Sequence, residues 1–414
     1  MPVLIENVRY LDNDGRFRDS GFVAFGPEGI LYCGADREAA LSSAEVGADG
    51  CTDGAGWEII NGSDSWLMPG MIDAHCHIGL FDDGLVQEGD DGNEDTDPVT
   101  PQMRAIDGIF HEDRCFSEAV AGGITSANTG PGSANVLSGR FALVRTSGRF
   151  VDEMVINQHS AMKAALGENP KRCHGHGKDR MPTTRMANAS VLRDALARAA
   201  WYAAARRDKP REHEPDSRWE ALLPVLSGEL ILKFHAHRSD DILTAMRVAD
   251  EFGLRYTIDH CTEGWLIVDL LKEAYERGQN DPLAGTGRKG RGKLEGIITG
   301  PLLTDRSKPE LKRAELHNPA VLSAAGLPVA IMTDHPVIPI QYLPVSAALA
   351  VRAGMSEELA LKAITSVAAR LCDAGESRGL IQPGYIADLV LLDSHPFDFR
   401  SHVQRVWIEG EAVL

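Results

Sequence analysis

The middle of this 414-residue chain alternates short apolar runs with longer amphipathic segments. Apolar runs of strand length separated by helical patterns are typical of parallel βα units. Eight strand candidates can be counted, which is the number that a (β/α)8 barrel requires. They are MIDAHCHI, GITSANTG, a third run somewhere in FALVRTSG to EMVIN, AMKAALGE, LILKFHAH, LRYTIDHC, GIITGP and PVAIMTDH. The sequence therefore predicts an α/β fold of the (β/α)8 TIM-barrel type.

The two ends of the chain have a different pattern. Residues 1–65 carry short alternating runs broken by turn residues, and residues 380–414 contain GYIADLVLLD and VQRVWIEGEAVL. Runs of this kind predict β-hairpins. A chain of this length also suits one large barrel with a smaller domain. We therefore expect residues 1–65 and 380–414 to pair into a small β-sandwich, and residues 66–379 to form the barrel.

His75 and His77 lie one residue apart at the end of the first predicted barrel strand, shortly after the turn residues Pro69 and Gly70. Successive side chains of a strand alternate between its faces, so the two imidazoles project to the same side. Two neutral imidazoles in this arrangement can hold one divalent cation. Asp73 falls on the same face and could orient one of the imidazoles. The pair is a candidate metal site.

Three further predicted strands end in polar residues of the same kind. Strand 5 ends with His235 and His237, strand 6 ends with His260, and strand 8 ends with Asp334 followed by His335. The carboxyl ends of barrel strands all face one mouth of the barrel, so these side chains are expected to meet there. Four strands that each deliver such a residue to one end are hard to explain by packing alone.

Composition excludes several classes of function. The formal net charge of −18 argues against a main role in binding nucleic acid or an anionic membrane. The chain start lacks a basic segment followed by an apolar run, and no run of about 18 apolar residues suggests a membrane span. Seven cysteines without a Cys-x-x-Cys pair favour reduced thiols. We expect a cytoplasmic homo-oligomer whose partner is a small molecule.

Together these residues resemble the metal-dependent amidohydrolase superfamily. The motifs that carry the resemblance are PGMIDAHCHIG at strand 1, the single histidines that end strands 5 and 6, and TDHP at strand 8. RGLIQPGYIADLVLLD and VWIEGEAVL are similar to the closing β-domain of that superfamily, so the resemblance covers nearly the whole chain. Within the superfamily the sequence is most similar to the imidazolonepropionase-related and prolidase-like amidohydrolases.

The resemblance implies a divalent metal cofactor, one or two ions, with Zn preferred and Fe or Mn also compatible with such ligands. The ligands that it implies are His75, His77, His235, His260 and Asp334. His237 lies two residues beyond His235 and faces the same way, so it could contact substrate, support a ligand or be the true strand-5 ligand. A rim position bonded to Asp240 or Asp241 is an equal alternative for His237.

Strand 4 offers two further candidate ligands, Lys163 and Glu168. Some members of the superfamily bridge two ions with a carbamylated lysine, and Lys163 resembles that position; other members use a glutamate. A separation of five residues puts the two side chains on opposite faces of a regular strand, so only one should bind metal. Glu168 is preferred slightly because it lies nearer the carboxyl end of the strand.

The implied chemistry is hydrolysis of a carbon–nitrogen bond in an amide, cyclic amide or peptide-like compound. A bound divalent cation lowers the pKa of its water from 15.7 toward ~7. Asp334 is the candidate that takes the water proton and returns it to the leaving nitrogen. His260, His237 or His335 could polarise the carbonyl. Two alternatives stay open, namely a deaminase of an aminated heterocycle and a non-catalytic amidohydrolase-like scaffold.

Candidates for substrate contacts follow the other strands. Asn135 and Arg140 lie after strand 2, Arg185 lies in MPTTRMAN, and Arg306 and Lys308 follow strand 7. An arginine can clamp a carboxylate through two parallel hydrogen bonds. If Arg185 does so, the substrate carries a carboxylate. Each of these side chains could equally be a structural or solvated group.

Overall fold

The structure is a computed structural model that describes residues 1–43, 56–82, 87–208 and 214–414. Its strands fall into two sheets, one at the barrel and one formed by the ends of the chain. The strands are β1 Val3–Leu11, β2 Phe17–Gly26, β3 Gly29–Gly34, β4 Glu58–Asn61, β5 Trp66–Pro69, β6 Met71–Cys76, β7 Ile124–Thr129, β8 Leu137–Arg145, β9 Val155–Ala165, β10 Ile231–Ala236, β11 Arg255–His260, β12 Lys293–Thr299, β13 Val329–Ile331, β14 Leu389–Leu392, β15 Val403–Ile408 and β16 Glu411–Ala412.

Most of the helices follow strands of the barrel, whereas α1 lies in the N-terminal segment and packs against β2 and β3. They are α1 Arg37–Ser42, α2 Arg114–Ala121, α3 Val151–Met154, α4 Glu168–Pro170, α5 Arg185–Asp208, α6 Ser217–Glu220, α7 Leu223–Ser227, α8 Ser239–Phe252, α9 Val268–Asn280, α10 Asn318–Ala324, α11 Leu343–Arg352, α12 Glu357–Ala363 and α13 Ser366–Leu371. Helix α8 is followed by Gly253, whose φ of +68° is the left-handed conformation in which glycine commonly ends a helix. Its first turn is capped from outside, since Glu263 accepts the Ser239 N–H at 2.9 Å.

The barrel sheet contains eight strands in the order β6 to β13. The two edge strands approach each other at the mouth, where the Asp334 N–H donates to the His75 carbonyl at 3.3 Å and the His77 N–H donates to the His335 carbonyl at 2.8 Å. The apolar side chains of the strands and of the surrounding helices form the main hydrophobic clusters of the barrel. The predicted α/β barrel is therefore confirmed.

The third strand departs from the all-parallel expectation. Strand β8 runs antiparallel to both β7 and β9, so this part of the barrel is a meander. A parallel crossover needs a dozen or more residues, and the connections here, residues 130–136 and 146–154, are too short to provide one. The run from FALVRTSG to EMVIN is accordingly divided between the end of β8 and the start of β9.

The two ends of the chain form the second sheet. Its strand order is β16-β15-β14-β5-β1-β2-β3, with β4 paired to β1, and the two ends meet where β5 pairs antiparallel with β14. One apolar cluster, which includes Phe25, Leu67 and Trp407, is formed largely by side chains of this sheet's own strands. Pairing of the two ends is thus confirmed, while the domain boundaries at residues 65 and 380 stay a prediction.

None of the helices in the described ranges combines the length and the apolar character that a membrane crossing requires.

Candidate metal centre

Two groups of three potential metal ligands lie at the carboxyl ends of the barrel strands. In each group the ligand atoms lie within 4.8 Å of one another. The outer triad, as we call it, consists of His75, His77 and Asp334, and the inner triad consists of His235, His237 and His260. The two triads adjoin, because the His75 and His260 ring centroids are 5.7 Å apart. The structure therefore brings together all the ligands that the resemblance implies, along with His237.

The outer triad is held together by Asp334. Its Oδ1 lies 3.3 Å from His77 Nε2 and 3.7 Å from His75 Nε2. Asp334 and His260 both have left-handed backbones, with φ values of +56° and +67°. Such a conformation costs a non-glycine residue about 1–3 kcal/mol and is concentrated at functional sites. At these two positions the chain leaves the strand direction as it reaches the barrel mouth.

Three imidazoles are oriented through their Nδ1 atoms. The contacts are His75 Nδ1 with Asp259 Oδ2 at 2.6 Å, His77 Nδ1 with the Gly130 carbonyl at 2.6 Å, and His260 Nδ1 with the Gly300 carbonyl at 3.0 Å. A carbonyl oxygen only accepts, so Nδ1 of His77 and of His260 carries the hydrogen and Nε2 keeps its lone pair. Metal-binding histidines show this arrangement, with one nitrogen fixed by an oxygen acceptor and the other facing the ion.

Burial sets the charge state of the two triads. It lowers the pKa of four imidazoles, to about 4 at His260 and well below the usual value at His75, His235 and His237. Burial alone would raise the pKa of Asp334, but His260 and His77 hold it below its ordinary value. At neutral pH these four imidazoles are neutral and the Asp334 carboxylate is ionised. That is the donor set that a divalent cation requires, so the residues present fit such an ion.

Lys163 of β9 projects into this cluster. It is fully buried, and its Nζ lies 2.9 Å from His75 Nε2. Burial lowers the pKa of this amine to about 8. The charge of Lys163 also acts on His235 and His260 of the inner triad. Lys163 is therefore the strand-4 side chain that contacts the candidate metal centre.

Glu168 points elsewhere, contrary to the slight preference that its sequence position gave it. Strand β9 ends at Ala165, and Glu168 begins the short helix α4. Its carboxylate accepts the Glu310 N–H at 3.3 Å, and its own N–H donates to Glu310 Oε2 at 3.0 Å. Because the chain has already left the strand, nearness to the carboxyl end of the strand does not bring Glu168 to the triads.

Asp259 and Lys233 support the site and were missed from the sequence. Asp259 Oδ2 contacts both His75 Nδ1 and, at 3.1 Å, Lys233 Nζ. Asp259 immediately precedes His260, so strand alternation would place the two on opposite faces; the left-handed backbone of His260 removes that restriction. Lys233 had a usable signal, since it lies two residues before His235 on the same face of an apolar strand.

Asp73 does not orient an imidazole, so that prediction was wrong. Its carboxylate accepts the His75 backbone N–H at 3.2 Å and also the backbone N–H and hydroxyl group of Thr333. Burial raises the pKa of Asp73 to about 7. Asp73 therefore ties the first barrel strand to the last one, and the imidazole is oriented by Asp259.

His237 has two neighbours that differ from the rim carboxylates considered for it. Its Nδ1 lies 2.7 Å from Thr262 Oγ1, and its Nε2 lies 3.7 Å from Glu310 Oε1. Glu310 is 1% exposed, burial raises its pKa to about 7, and no donor among the described residues hydrogen-bonds to its Oε1. Asp241 pairs with Arg185 instead. His237 thus faces a buried carboxylate from the loop after β12.

Three of the five substrate-contact candidates, namely Asn135, Arg140 and Arg185, contact protein partners. Arg185 Nε donates to both carboxylate oxygens of Asp241, at 3.0 and 3.1 Å. Asn135 is 1% exposed; its contacts are Thr100 Oγ1 at 2.8 Å, the Glu94 carbonyl at 2.5 Å and His174 Nε2 at 2.8 Å. The side chain of Asn135 therefore holds loops together, and Arg185 neutralises a nearby carboxylate.

Arg140 lies on the outer face of the barrel. Its neighbour Phe141 contacts the His75 and His77 rings, so alternation along β8 directs Arg140 to the opposite side. There Arg140 Nη1 lies 3.2 Å from His159 Nε2. The antiparallel direction of β8 was not foreseen, and for that reason neither was the face on which Arg140 lies.

Comparison with known proteins identifies relatives of the whole chain. Residues 295–414 match the family model described as the amidohydrolase family. The solved structure of an amidohydrolase from Thermotoga maritima MSB8 is 35% identical, with a TM-score of 0.87, over all of this chain and 99% of that chain. A putative prolidase from Bifidobacterium longum, 16% identical, shares the fold with a TM-score of 0.59 over all of this chain and 94% of its own.

A curated relative is longer than this chain. Amidohydrolase tasK of Hapsidospora irregularis is 28% identical over 374 residues, which cover 84% of this chain. The match spans only 36% of the length of that protein.

Proposed function

This chain belongs to the metal-dependent amidohydrolase superfamily and is a hydrolase of carbon–nitrogen bonds, and from that premise we propose that it cleaves an amide-type bond with the help of a divalent metal held at the barrel mouth. The observation that carries the proposal is the pair of adjoining triads with Lys163 against them. Fixed Nδ1 atoms and neutral imidazoles add to its support.

We assign the ligands as follows. The outer triad would hold one ion, and His235 and His260 would hold a second, with Zn as the preferred metal. Lys163 would serve both ions as a carbamate, which forms when its neutral amine adds to CO2 through a new N–C bond and releases a proton. When bound, a divalent cation supplies Lewis acidity and lowers the pKa of water.

The protein's own side chains supply proton transfer and substrate positioning. Asp334 is ionised and contacts two imidazoles, so it can accept a proton from the attacking water and return it to the leaving nitrogen. His237 has its Nδ1 at Thr262 and lies beside His235 and His260, where it can contact the carbonyl of the substrate. Buried surroundings strengthen both interactions because little water screens them.

The first experiment measures metal per chain by elemental analysis, together with intact mass under conditions that preserve a carbamate. Untagged protein is required, since a polyhistidine tag binds metal. We expect two ions and a mass increase of one CO2 in the wild type. Lys163→Ala should lose the mass increase and at least one ion, whereas the matched variant Glu168→Ala should keep both, because Glu168 contacts Glu310 and not the triads.

Activity is tested on the same preparations with N-acyl amino acids, dipeptides and cyclic amides. Release of amine without free ammonia supports amide hydrolysis, whereas ammonia release from an aminated heterocycle would replace the proposal with deamination. A protein that takes up no metal on reconstitution and cleaves none of these compounds would overturn the proposed function.

A further inference from the structure

Lys308 stands beside the inner triad in the loop that follows β12. Its Nζ donates to Asn169 Oδ1 at 3.0 Å, and Asn169 Nδ2 lies 3.5 Å from His235 Nε2. A single side chain therefore separates the Lys308 ammonium from a candidate metal ligand. The charge of Lys308 also contributes to the lowered pKa of His235 and His237.

The positive charge of Lys308 has no counter-ion in the described part of the chain. No carboxylate there lies within ion-pair distance of its Nζ, and its hydrogen bond goes to a neutral amide. Two neighbouring cations, in contrast, lie near carboxylates. Arg185 forms an ion pair with Asp241, and Arg306 donates to the Ala314 carbonyl and lies 3.6 Å from Glu315. The Lys308 side chain is half-buried, so it remains open to a ligand at the mouth.

An ammonium has three donors, and Asn169 accepts only one of them. The other two can bind an anionic group, which a compact charge on a flexible side chain holds without a fixed geometry. The buried carboxylate of Glu310 lies 3.7 Å from His237 Nε2, and the charge of Lys308 acts on it from beyond ion-pair distance.

We propose that Lys308 binds a carboxylate of the substrate and that the enzyme acts on amides which carry a carboxylate near the reacting bond, as N-acyl amino acids and dipeptides do. This inference rests on the proposed amide hydrolysis at the two triads. It places the reacting carbonyl at the metal centre and the carboxylate toward the loop after β12. Lys308 takes the anchoring role for which the sequence offered Arg185.

The test combines variants with matched pairs of substrates. Wild type, Lys308→Gln and Arg306→Gln are assayed on N-acetyl amino acids and dipeptides and on the carboxamides of the same compounds. Arg306→Gln is the control because it removes a cation from the same loop without touching Asn169. Metal content and melting temperature are measured for every preparation, since Asn169 also reaches His235.

In Lys308→Gln we expect kcat/KM for the carboxylates to fall about 10- to 100-fold, mostly through KM, because a charged hydrogen bond is lost. Carboxamide hydrolysis should change no more than about 3-fold, and Arg306→Gln should change neither substrate by more than that. Equal losses on carboxylates and carboxamides would overturn the inference. A wild type that hydrolyses the carboxamides as fast as the carboxylates would also overturn the inference, although the proposed amide hydrolysis would then stand. If metal-loaded wild type hydrolyses none of these compounds, the proposed function and the inference are both overturned.

Discussion

Asp259 Oδ2 lies 2.6 Å from His75 Nδ1, and both side chains are completely buried. Burial would raise the pKa of Asp259, but Lys233 and His75 hold it far below its ordinary value, so the carboxylate is ionised. An ionised acceptor on Nδ1 fixes the ring orientation of His75 and makes its Nε2 a stronger donor to a metal. The orientation of His75 in the outer triad therefore depends on Asp259, a residue that belongs to neither triad.

Asp259→Asn should weaken metal binding without removing a ligand. The amide keeps the shape but loses the charge that orients His75, and a change of this kind typically lowers metal affinity by about 10- to 100-fold. Competition with a chelator of known affinity measures the change. Asp388→Asn is the matched control, because Asp388 is also a buried carboxylate but is bonded to Arg378 away from the triads. Equal metal affinities in the two variants would argue against the role of Asp259.

Asp334→Asn should keep metal and lose turnover. The asparagine oxygen can still face the ion, but it cannot accept the proton of the attacking water. Loss of a positioned general acid–base group lowers kcat by about 10²- to 10⁴-fold. The measurement is kcat on metal-loaded protein, with the ion content confirmed by elemental analysis. Full activity in this variant would remove Asp334 from the proton-transfer role.

The barrel and its histidines could be predicted because each signal is local. His75 and His77 end an apolar strand, and the parallel direction of β6, β10, β11 and β13 brings their carboxyl ends to one mouth. The antiparallel β8 could not be read in the same way, since strand periodicity does not encode direction. That one reversal decides the face of Arg140.

The sequence alone could not predict which side chains bond to each other. Nothing local shows that Arg185 binds Asp241, 56 residues further along, or that Glu168 joins Glu310 across two loops. The choice between Lys163 and Glu168 depended on where β9 ends, and element ends are hard to predict because the hydrophobic pattern fades there. The role of Lys308 could be proposed only from the structure, in which no carboxylate of the described residues lies within ion-pair distance of its Nζ.

Arg378→Ala should destabilise the fold strongly. Arg378 is 3% exposed; one of its amino groups bonds Asp388 and the other bonds Glu409 Oε1 at 2.6 Å. Removal leaves the buried Asp388 carboxylate without its cation, which costs about 3–5 kcal/mol of the free energy of unfolding. Urea denaturation measures the change. Arg400→Ala removes an exposed partner of Asp398 and should leave the urea midpoint unchanged; a similar shift in both variants would contradict the argument.

Metal removal should lower both activity and stability, and the two effects should share one cause. The triads consist of buried groups that fit a cation, so an ion that binds the folded chain stabilises it by about 4 kcal/mol at a concentration 1,000 times its dissociation constant. We expect a chelator to abolish hydrolysis and lower the melting temperature, and added zinc to restore both.

In His77→Ala, which lacks one ligand of the outer triad, the chelator should produce a smaller shift in melting temperature because less metal is bound at the start. His402→Ala, which removes an exposed histidine paired with Asp393, should respond to the chelator as the wild type does. A wild type whose activity and melting temperature ignore both chelator and zinc would show that the triads do not bind metal in the working enzyme.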